Sequence, residues 1–333
     1  MHIGGTQRLA AVVLNFRTPD ETVLAVQSLL ASTRPVDDLI VVDNDGAPGC
    51  RDQVAGLHPS IRYLSTGANL GFSGGMNVGI RAALAAGAGV VLLVNSDATV
   101  SPECVERLER GLESGVAIAG PIIIGTSQQQ PVISSGIDYD TATGRMRERG
   151  TTPPNRLTAV DAISGCVMLI IADVFRKVGV FDPDYFYSFE DIDFCVRARR
   201  AGFAVGLVPD AIARHAESGT IGRDAAERFY YAARNHLLLA SRVKPQSGRY
   251  GAIRKTVTIV SLNIAHALTS RRGRITSRLA AVFRGTRDYF HGQLGRRGST
   301  PEVRSQLDAS SQRPRSAMDL CSDSTCSESP TDR

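Results

Sequence analysis

The chain has 333 residues, 43% hydrophobic, 21% charged and 6% aromatic, with 32 Gly and 15 Pro, which excludes whole-chain disorder, collagen and coiled coil and supplies enough apolar surface for a core without covalent staples. The formal net charge of +5 is unevenly spread: residues 241–300 carry thirteen Arg and Lys against the single acid Asp288, so the basicity belongs to one segment. No window of eighteen apolar residues is free of charge, so no spanning helix is expected; the six scattered cysteines lack C-x-x-C spacing and no secretory leader precedes them, which points to a reduced, cytosolic compartment without disulfides or a zinc knuckle.

In chain order, Leu9–Phe16 reads as a first buried strand. Thr18-Pro19-Asp20-Glu21 then offers a capping oxygen, a proline and first-turn acids to a helix carrying Val23, Leu24, Val26, Leu29 and Leu30. Leu39–Val42, Ile61–Leu64 and Gly89–Val94 read as three further strands, each bounded by Gly, Asp or Asn. Gly71-Phe72-Ser73-Gly74-Gly75 opens a helix through Ala86, and Ser101-Pro102-Glu103 caps another through Leu112. Strands alternating with helices imply a mostly parallel, Rossmann-like central sheet flanked by helices.

From Gly125 to Pro154 the text turns polar, with a small hairpin expected around Gly136 and Gly144. Val160–Ile171 is apolar again, Asp173–Val178 reads as a short helix, and residues 186–201 and 224–240 carry helical patterns. Beyond Pro245, Ile253, Val257, Val260, Ile264 and Leu268 fall on one helical face and Leu279, Phe283, Phe290 and Leu294 on another, among arginines. Such a basic amphipathic stretch suits an anionic leaflet, an ordinary solvated arginine-rich helix or a nucleic-acid patch; the membrane is the reading taken. The expected units are residues 1–240, a basic helical extension over 241–298, and a disordered tail over 299–333.

In an open parallel sheet, ligands sit beyond the carboxyl ends of the strands. Those positions hold Asn15, Asp43-Asn44-Asp45, Asn69 and Asn95-Ser96-Asp97. Asp43 can accept from a pyrimidine imide, Phe16 can flank the ring, and Asp97 can hold a divalent cation on a diphosphate, although Asp and Asn after strands also form ordinary turns. The glycine stretch 71–79 follows the third strand, not the first, so it is no dinucleotide fingerprint; its glycines let backbone approach a ligand or the Asp97 loop. Glu190, Asp191 and Asp193 beside the aromatics 186–189 suit a general base, or equally a helix N-terminus favoured by the dipole. His215 is a candidate metal ligand, though a lone histidine is more often structural.

Together, Val12–Asn15, Val41-Val42-Asp43-Asn44, Asn69–Gly75, Leu93-Val94-Asn95-Ser96-Asp97, Ile163–Leu169, Phe189–Arg197 and His215, in this order, resemble the family 2 glycosyltransferases of the GT-A fold, in their bacterial rhamnosyltransferase-like and galactofuranosyltransferase-like branch. The resemblance spans residues 9–240, and Arg284–Asp288 looks like that branch's basic tail. It implies an inverting transfer from a nucleoside-diphosphate sugar with a divalent cation, Mg²⁺ or Mn²⁺. Asp97 matches the last acid of the family's Asp-x-Asp motif, with Asn95 at the first position, and pairs with His215 as metal ligand. Asp191 matches the catalytic base, with Glu190 beside it. Asn15, Asp43, Asn44, Asn69 and Gly71 match nucleotide-sugar positions, and Arg234 matches an arginine that reaches phosphates or, equally, lies on a helix surface. The chain departs from the pattern at Phe16, Ala162 and Ala216, where Tyr, an aromatic and a second histidine are usual.

The expected function is transfer of rhamnose, another deoxyhexose or galactofuranose from a dTDP- or UDP-sugar to a lipid-linked or glycan acceptor at the inner face of the cell membrane, without a nucleic-acid partner. Two alternatives stand beside it. One is a sugar-nucleotide pyrophosphorylase, which would need a glycine- and lysine-bearing loop where the chain has Asn15-Phe16-Arg17-Thr18-Pro19; the other is an inactive nucleotide-sugar or glycan-binding scaffold.

Overall fold

Alternation along the first strand sets the layers. In β1 (Leu9–Asn15), Ala10, Val12 and Leu14 enter one core cluster, and Leu9, Ala11 and Val13 enter another on the opposite face, the period-two division of a strand buried on both sides. The computed structural model describes residues 7–46, 49–125, 132–149, 152–216, 225–243, 248–270 and 273–298; the expected tail over 299–333 lies outside the described residues.

In chain order follow α1 (Pro19–Leu30), β2 (Asp38–Asp43), α2 (Cys50–Ala55), β3 (Arg62–Ser65), α3 (Gly71–Ala85), β4 (Val90–Asn95), β5 (Ala98–Val100), α4 (Cys104–Glu113) and β6 (Ile118–Gly125). Then come β7 (Val132–Ser134), β8 (Ile137–Tyr139), β9 (Met146–Glu148), β10 (Thr158–Ala159), β11 (Val167–Ile171), α5 (Ala172–Val178), α6 (Glu190–Arg200) and β12 (Val205–His215). Three helices close the described chain: α7 (Ala225–Arg242), α8 (Arg249–Thr269) and α9 (Ile275–Phe290). The main sheet runs β10-β12-β6-β11-β4-β1-β2-β3. Strands β3, β2, β1 and β4 are mutually parallel, β11 runs against both β4 and β6, and β12 runs with β6. The mostly parallel α/β sheet is as expected, and β8 pairs with β9 in the expected hairpin.

The α1 terminus differs in detail. Pro19 and the first-turn acids are in place, but the Thr18 hydroxyl makes no cap bond; it meets the Ser96 hydroxyl at 2.8 Å. The acceptor at this terminus is Asn15 Oδ1, which takes the Thr18 N–H at 3.1 Å and the Thr22 hydroxyl at 3.0 Å. Ser101 likewise contributes its carbonyl, to the Cys104 N–H, while its hydroxyl is buried without a partner.

The α3 glycines serve packing, not the Asp97 loop. A Cβ at Gly79 would lie 2.2 Å from Val12, and one at Gly75 2.7 Å from Leu14, so these glycines seat the helix on the sheet. Gly71, at φ +74°, brings its backbone against Phe186, where a Cβ would lie 2.3 Å from the carbonyl oxygen.

Helices α7, α8 and α9 pack together around Phe229, Tyr230, Tyr231, Ala267, Ala281 and Val282. The face α8 turns inward holds Lys255, Ile259 and Ala267, while Ile253, Val257 and Leu268 of the expected apolar stripe are 62%, 59% and 50% exposed. Lys255 is buried because its ammonium caps carbonyls of Thr141 (2.8 Å) and Ala240, tying α8 to the turn of the β8–β9 hairpin.

Candidate active site

Asn15 and Asp43 end adjacent parallel strands in direct register, so their side chains meet: Asn15 Nδ2 donates to Asp43 Oδ1 at 3.0 Å. The Tyr63 hydroxyl donates to Asp43 Oδ2 at 2.7 Å, and this bond together with burial holds the Tyr63 hydroxyl in its protonated form far above the usual phenol range. Asn44 accepts the Leu70 N–H and donates to the Gly71 carbonyl, and Asn69 Oδ1 accepts the Gly71 N–H at 2.8 Å. Asn15, Asp43 and Asn44 are each at most 2% exposed, so these positions form a satisfied polar seam under the strand ends, with Phe16, Arg17, Asp45 and Asn69 above it toward solvent. Sequence reading passed over Arg17, which sits at φ +60°, pairs with Asp45 and lies 5.2 Å over the Phe16 ring. Its unusual backbone conformation leaves no sequence signal.

Asp97 and His215 are 118 residues apart yet touch, because β5 turns back from β4 and pairs antiparallel with the end of β12, setting His215 opposite Ala98. His215 Nε2 lies 3.0 Å from Asp97 Oδ1, the Asp97 carbonyl accepts the Ala216 N–H, and both side chains reach solvent. Two residues before Asp97, the Asn95 side-chain oxygen is buried without a partner. Among the described residues no three metal-ligating side chains converge. One carboxylate and one imidazole still fit Mg²⁺ or Mn²⁺ where diphosphate oxygens complete the shell, since such ions bind through few protein ligands plus substrate phosphates.

Asp191 opens α6, partly exposed, with Oδ2 accepting the Gly165 N–H and Oδ1 the Ile192 N–H, both at 2.8 Å. Burial pushes its carboxyl above the usual range and the N–H bonds oppose this. Gly165 lies close under both side chains: a Cβ there would sit 3.3 Å from Asp191 and from Phe72, a tight contact. Glu190 is 5% exposed, its Oε2 has no partner, and burial, with Asp191 beside it, raises its carboxyl well above the ordinary value. Asp193 is spent structurally, pairing with Arg197 at 2.7 Å and accepting from Tyr185.

The two acids share one neighbourhood. Gly165 holds Asp191, the next residue Cys166 has its thiol raised in part by Asp97, and the Cys166 carbonyl accepts the Asn95 N–H. Tyr187 feels Glu190, Asp97 and Asp191 together. Glu148, on the β8–β9 hairpin, feels Asp191 as well; its carboxyl is pushed up to about 7, mainly by desolvation, and accepts from the Ser134 hydroxyl.

Arg234 corrects the sequence expectation of a phosphate contact or a helix surface. It is fully buried, donating to the carbonyls of Gly295 (2.6 Å), Asp184 and Tyr185 and to Asn235, with its guanidinium 4.8 Å over Tyr231. Asn235 donates to the carbonyls of Tyr185, Tyr187 and Ser188. The pair therefore reaches the site through the loop before Asp191, where Phe186, Ser188 and Phe189 all hold positive φ. Strain of that kind persists only where surrounding bonds over-determine the backbone.

The family model "Glycosyl transferase family 2" matches residues 11–179, about half of the chain. The hexosyltransferase Agl10 of low-salt glycan biosynthesis in Haloferax volcanii is 27% identical over 72% of this chain and 77% of its own. The N-acetylglucosaminyl-diphospho-decaprenol L-rhamnosyltransferase of Mycobacterium tuberculosis is 28% identical over 60% of this chain and 73% of its own. Among solved structures, the mannosyltransferase PcManGT of Pyrobaculum calidifontis, in complex with GDP-Man and Mn²⁺, superposes with a TM-score of 0.52 at 14% identity, over 93% of this chain and 88% of that one. With a Rossmann-like sheet, carboxylates at its strand ends and this family match, the chain belongs to glycosyl transferase family 2 and is a glycosyltransferase of the GT-A fold.

Proposed function

We propose that the protein moves a deoxyhexose such as rhamnose, or galactofuranose, from a dTDP- or UDP-sugar to a hydroxyl of a lipid-linked or glycan acceptor, inverting the anomeric carbon. One juxtaposition supports this reading above the rest: the Asp97–His215 pair and Asp191 flank the same Gly165–Cys166 backbone. A carboxylate suited to a leaving diphosphate and a carboxylate suited to an incoming alcohol, beside one stretch of backbone, are what a single displacement requires.

The nucleoside lies on the polar seam of Asn15, Asp43, Asn44, Asn69 and Gly71. Each Asp43 oxygen keeps a lone pair beyond its present bond, so the carboxylate accepts a pyrimidine imide N–H, with Phe16 against the ring. Asp97 and His215 would hold the divalent cation, which would neutralise charge developing on the leaving group. Asp191 takes the acceptor hydroxyl proton as that oxygen forms its bond to the anomeric carbon, on the face opposite the diphosphate. The old carbon–oxygen bond breaks and its electron pair leaves with the nucleoside diphosphate. A pKa above the usual carboxylate range brings the Asp191 base closer to working pH, and burial favours the uncharged form of Glu190 beside it.

The likeness to the mycobacterial N-acetylglucosaminyl-diphospho-decaprenol L-rhamnosyltransferase supports a rhamnosyl donor and a sugar on a prenyl diphosphate as acceptor. Among the described residues no helix is long and apolar enough to cross a membrane. Peripheral contact with an anionic inner leaflet is supported by the exposed Tyr250, Ile253, Val257 and Leu268 on α8 and Phe283 and Phe290 on α9, interleaved with Arg254, Arg284 and Arg287. A thermal-shift panel of dTDP, UDP, GDP and their sugars, with Mn²⁺ or chelator, tests the donor side. Stabilisation by dTDP or UDP is expected to grow with Mn²⁺ in the wild type and to lose that increment in His215→Ala. A GDP preference overturns the donor assignment.

A further inference from the structure

Between the loop that precedes Asp191 and the C-terminal helices lies a cleft of about 340 Å³, bordered by Tyr187, Ser188, Arg228, Phe229, Ala232 and His266. Its volume is at the small end of ligand sites. One wall leads along the chain to Asp191: Tyr187 and Ser188 line the cleft and lie in the loop before that residue, their carbonyls held by Asn235. The other wall is helical. Phe229 is buried and forms an apolar floor, the His266 ring lies 5.1 Å from it at 35°, and the Arg278 guanidinium stands 6.0 Å over it. Arg228 and His266 are exposed at the rim, and among the described residues no carboxylate lines the cleft.

The chemistry therefore changes along one path. At the Asp191 end it is acidic and suits a neutral sugar hydroxyl; at the α7–α8 end it is cationic and aromatic, which suits an anion with an apolar substituent. The last turn of α8 supplies His266 to the cleft and carries Leu268, 50% exposed, in the apolar stripe that continues with Val257 and Ile253.

We infer that this cleft binds the diphosphate and first apolar units of a lipid-diphosphate-linked sugar, with Arg228 and His266 on the diphosphate, Phe229 and Ala232 beneath the chain, and the sugar hydroxyl directed to Asp191. The inference rests on the lipid-linked acceptor reading above and adds the site and the groups that read the linkage. It makes the C-terminal helices part of the acceptor site.

The test is steady-state transfer to an N-acetylglucosaminyl-diphospho-farnesol acceptor by the full chain. Arg228→Ala and His266→Ala are each expected to raise the acceptor KM by about tenfold or more, as loss of a charge-assisted hydrogen bond does, with donor KM and kcat moving less than about twofold. Ala232→Phe fills the floor without touching a charge and is expected to raise the same KM; thermal melts separate these effects from misfolding. Farnesyl diphosphate is expected to compete with the acceptor more strongly than inorganic diphosphate or farnesol alone. Competition by inorganic diphosphate against the donor only would assign the cleft to the leaving group and overturn the inference. Wild-type transfer to the lipid acceptor with unchanged acceptor KM in all three variants would overturn it and leave the lipid-linked reading standing. Transfer only to phosphate-free glycans would overturn both.

Discussion

On the proposed donor side, Asn15, Asp43 and Asn44 are almost fully buried with their polar atoms paired, whereas on the proposed base side three non-glycine residues in four hold positive φ and Glu190 keeps an unpartnered oxygen. The donor side is pre-organised by its own hydrogen bonds. The base side is conformationally costly and is held from outside by Arg234 and Asn235. Local cost concentrated beside Asp191 is what a site built for chemistry shows, since strained or desolvated groups survive where function uses them.

The comparison breaks most completely at the base. Asp191→Asn keeps the geometry but cannot accept a proton, so kcat is expected to fall by about 10²–10⁴ while nucleotide affinity stays, as measured by transfer assay and calorimetry. An unchanged kcat would place the base elsewhere. Wild-type kcat is also expected to fall as pH drops through the raised Asp191 pKa, giving an acid limb above the ordinary carboxylate range.

Next in size is the external brace. Asn235→Leu leaves the Tyr187 and Ser188 carbonyls without their donor, while Tyr185 keeps Arg234, at a cost of about 1–3 kcal/mol in urea unfolding, and is expected to lower kcat because the loop before Asp191 is released. Loss of stability with full kcat would show that the brace does not position the base.

Glu190→Gln sharpens the contrast through linkage. The folded pKa of Glu190 is raised above its unfolded value, so its protonated form contributes stability at low pH that is lost as pH rises through the folded pKa. The amide cannot ionise. Melting temperatures of variant and wild type are therefore expected to match below the unfolded glutamate pKa and to diverge in the variant's favour as pH rises. The smallest effect on the fold is expected for Phe283→Ser with Phe290→Ser, both exposed: unfolding within about 0.5 kcal/mol of wild type, but weaker co-sedimentation with anionic vesicles.

Much of the sheet was legible because β1, β2 and β4 are continuous apolar runs ended by Asn or Asp, and buried parallel strands must read that way. Helix α2 was not, since six residues beginning after a glycine at φ +83° carry too little periodicity. Arg234 looked like a surface or phosphate-binding arginine because sequence spacing does not reveal that its donors meet three carbonyls from loops some fifty and sixty residues away. The apolar stripe of α8 was recognised, but spacing alone could not tell that Lys255 and Ala267 face inward while Ile253 and Val257 face out.

The sequence by itself determined the alternating elements, the polar residues at strand ends and the resemblance to a glycosyltransferase family, because strand burial, turn chemistry and motif order are local or one-dimensional properties. Tertiary structure alone decided that His215 meets Asp97, that Gly165 grips Asp191, and that α7 and α8 wall a cleft against the loop before it. Those are contacts between segments far apart in the chain, and only the register of β12 against β5 and the packing of α7 on its neighbours bring them together.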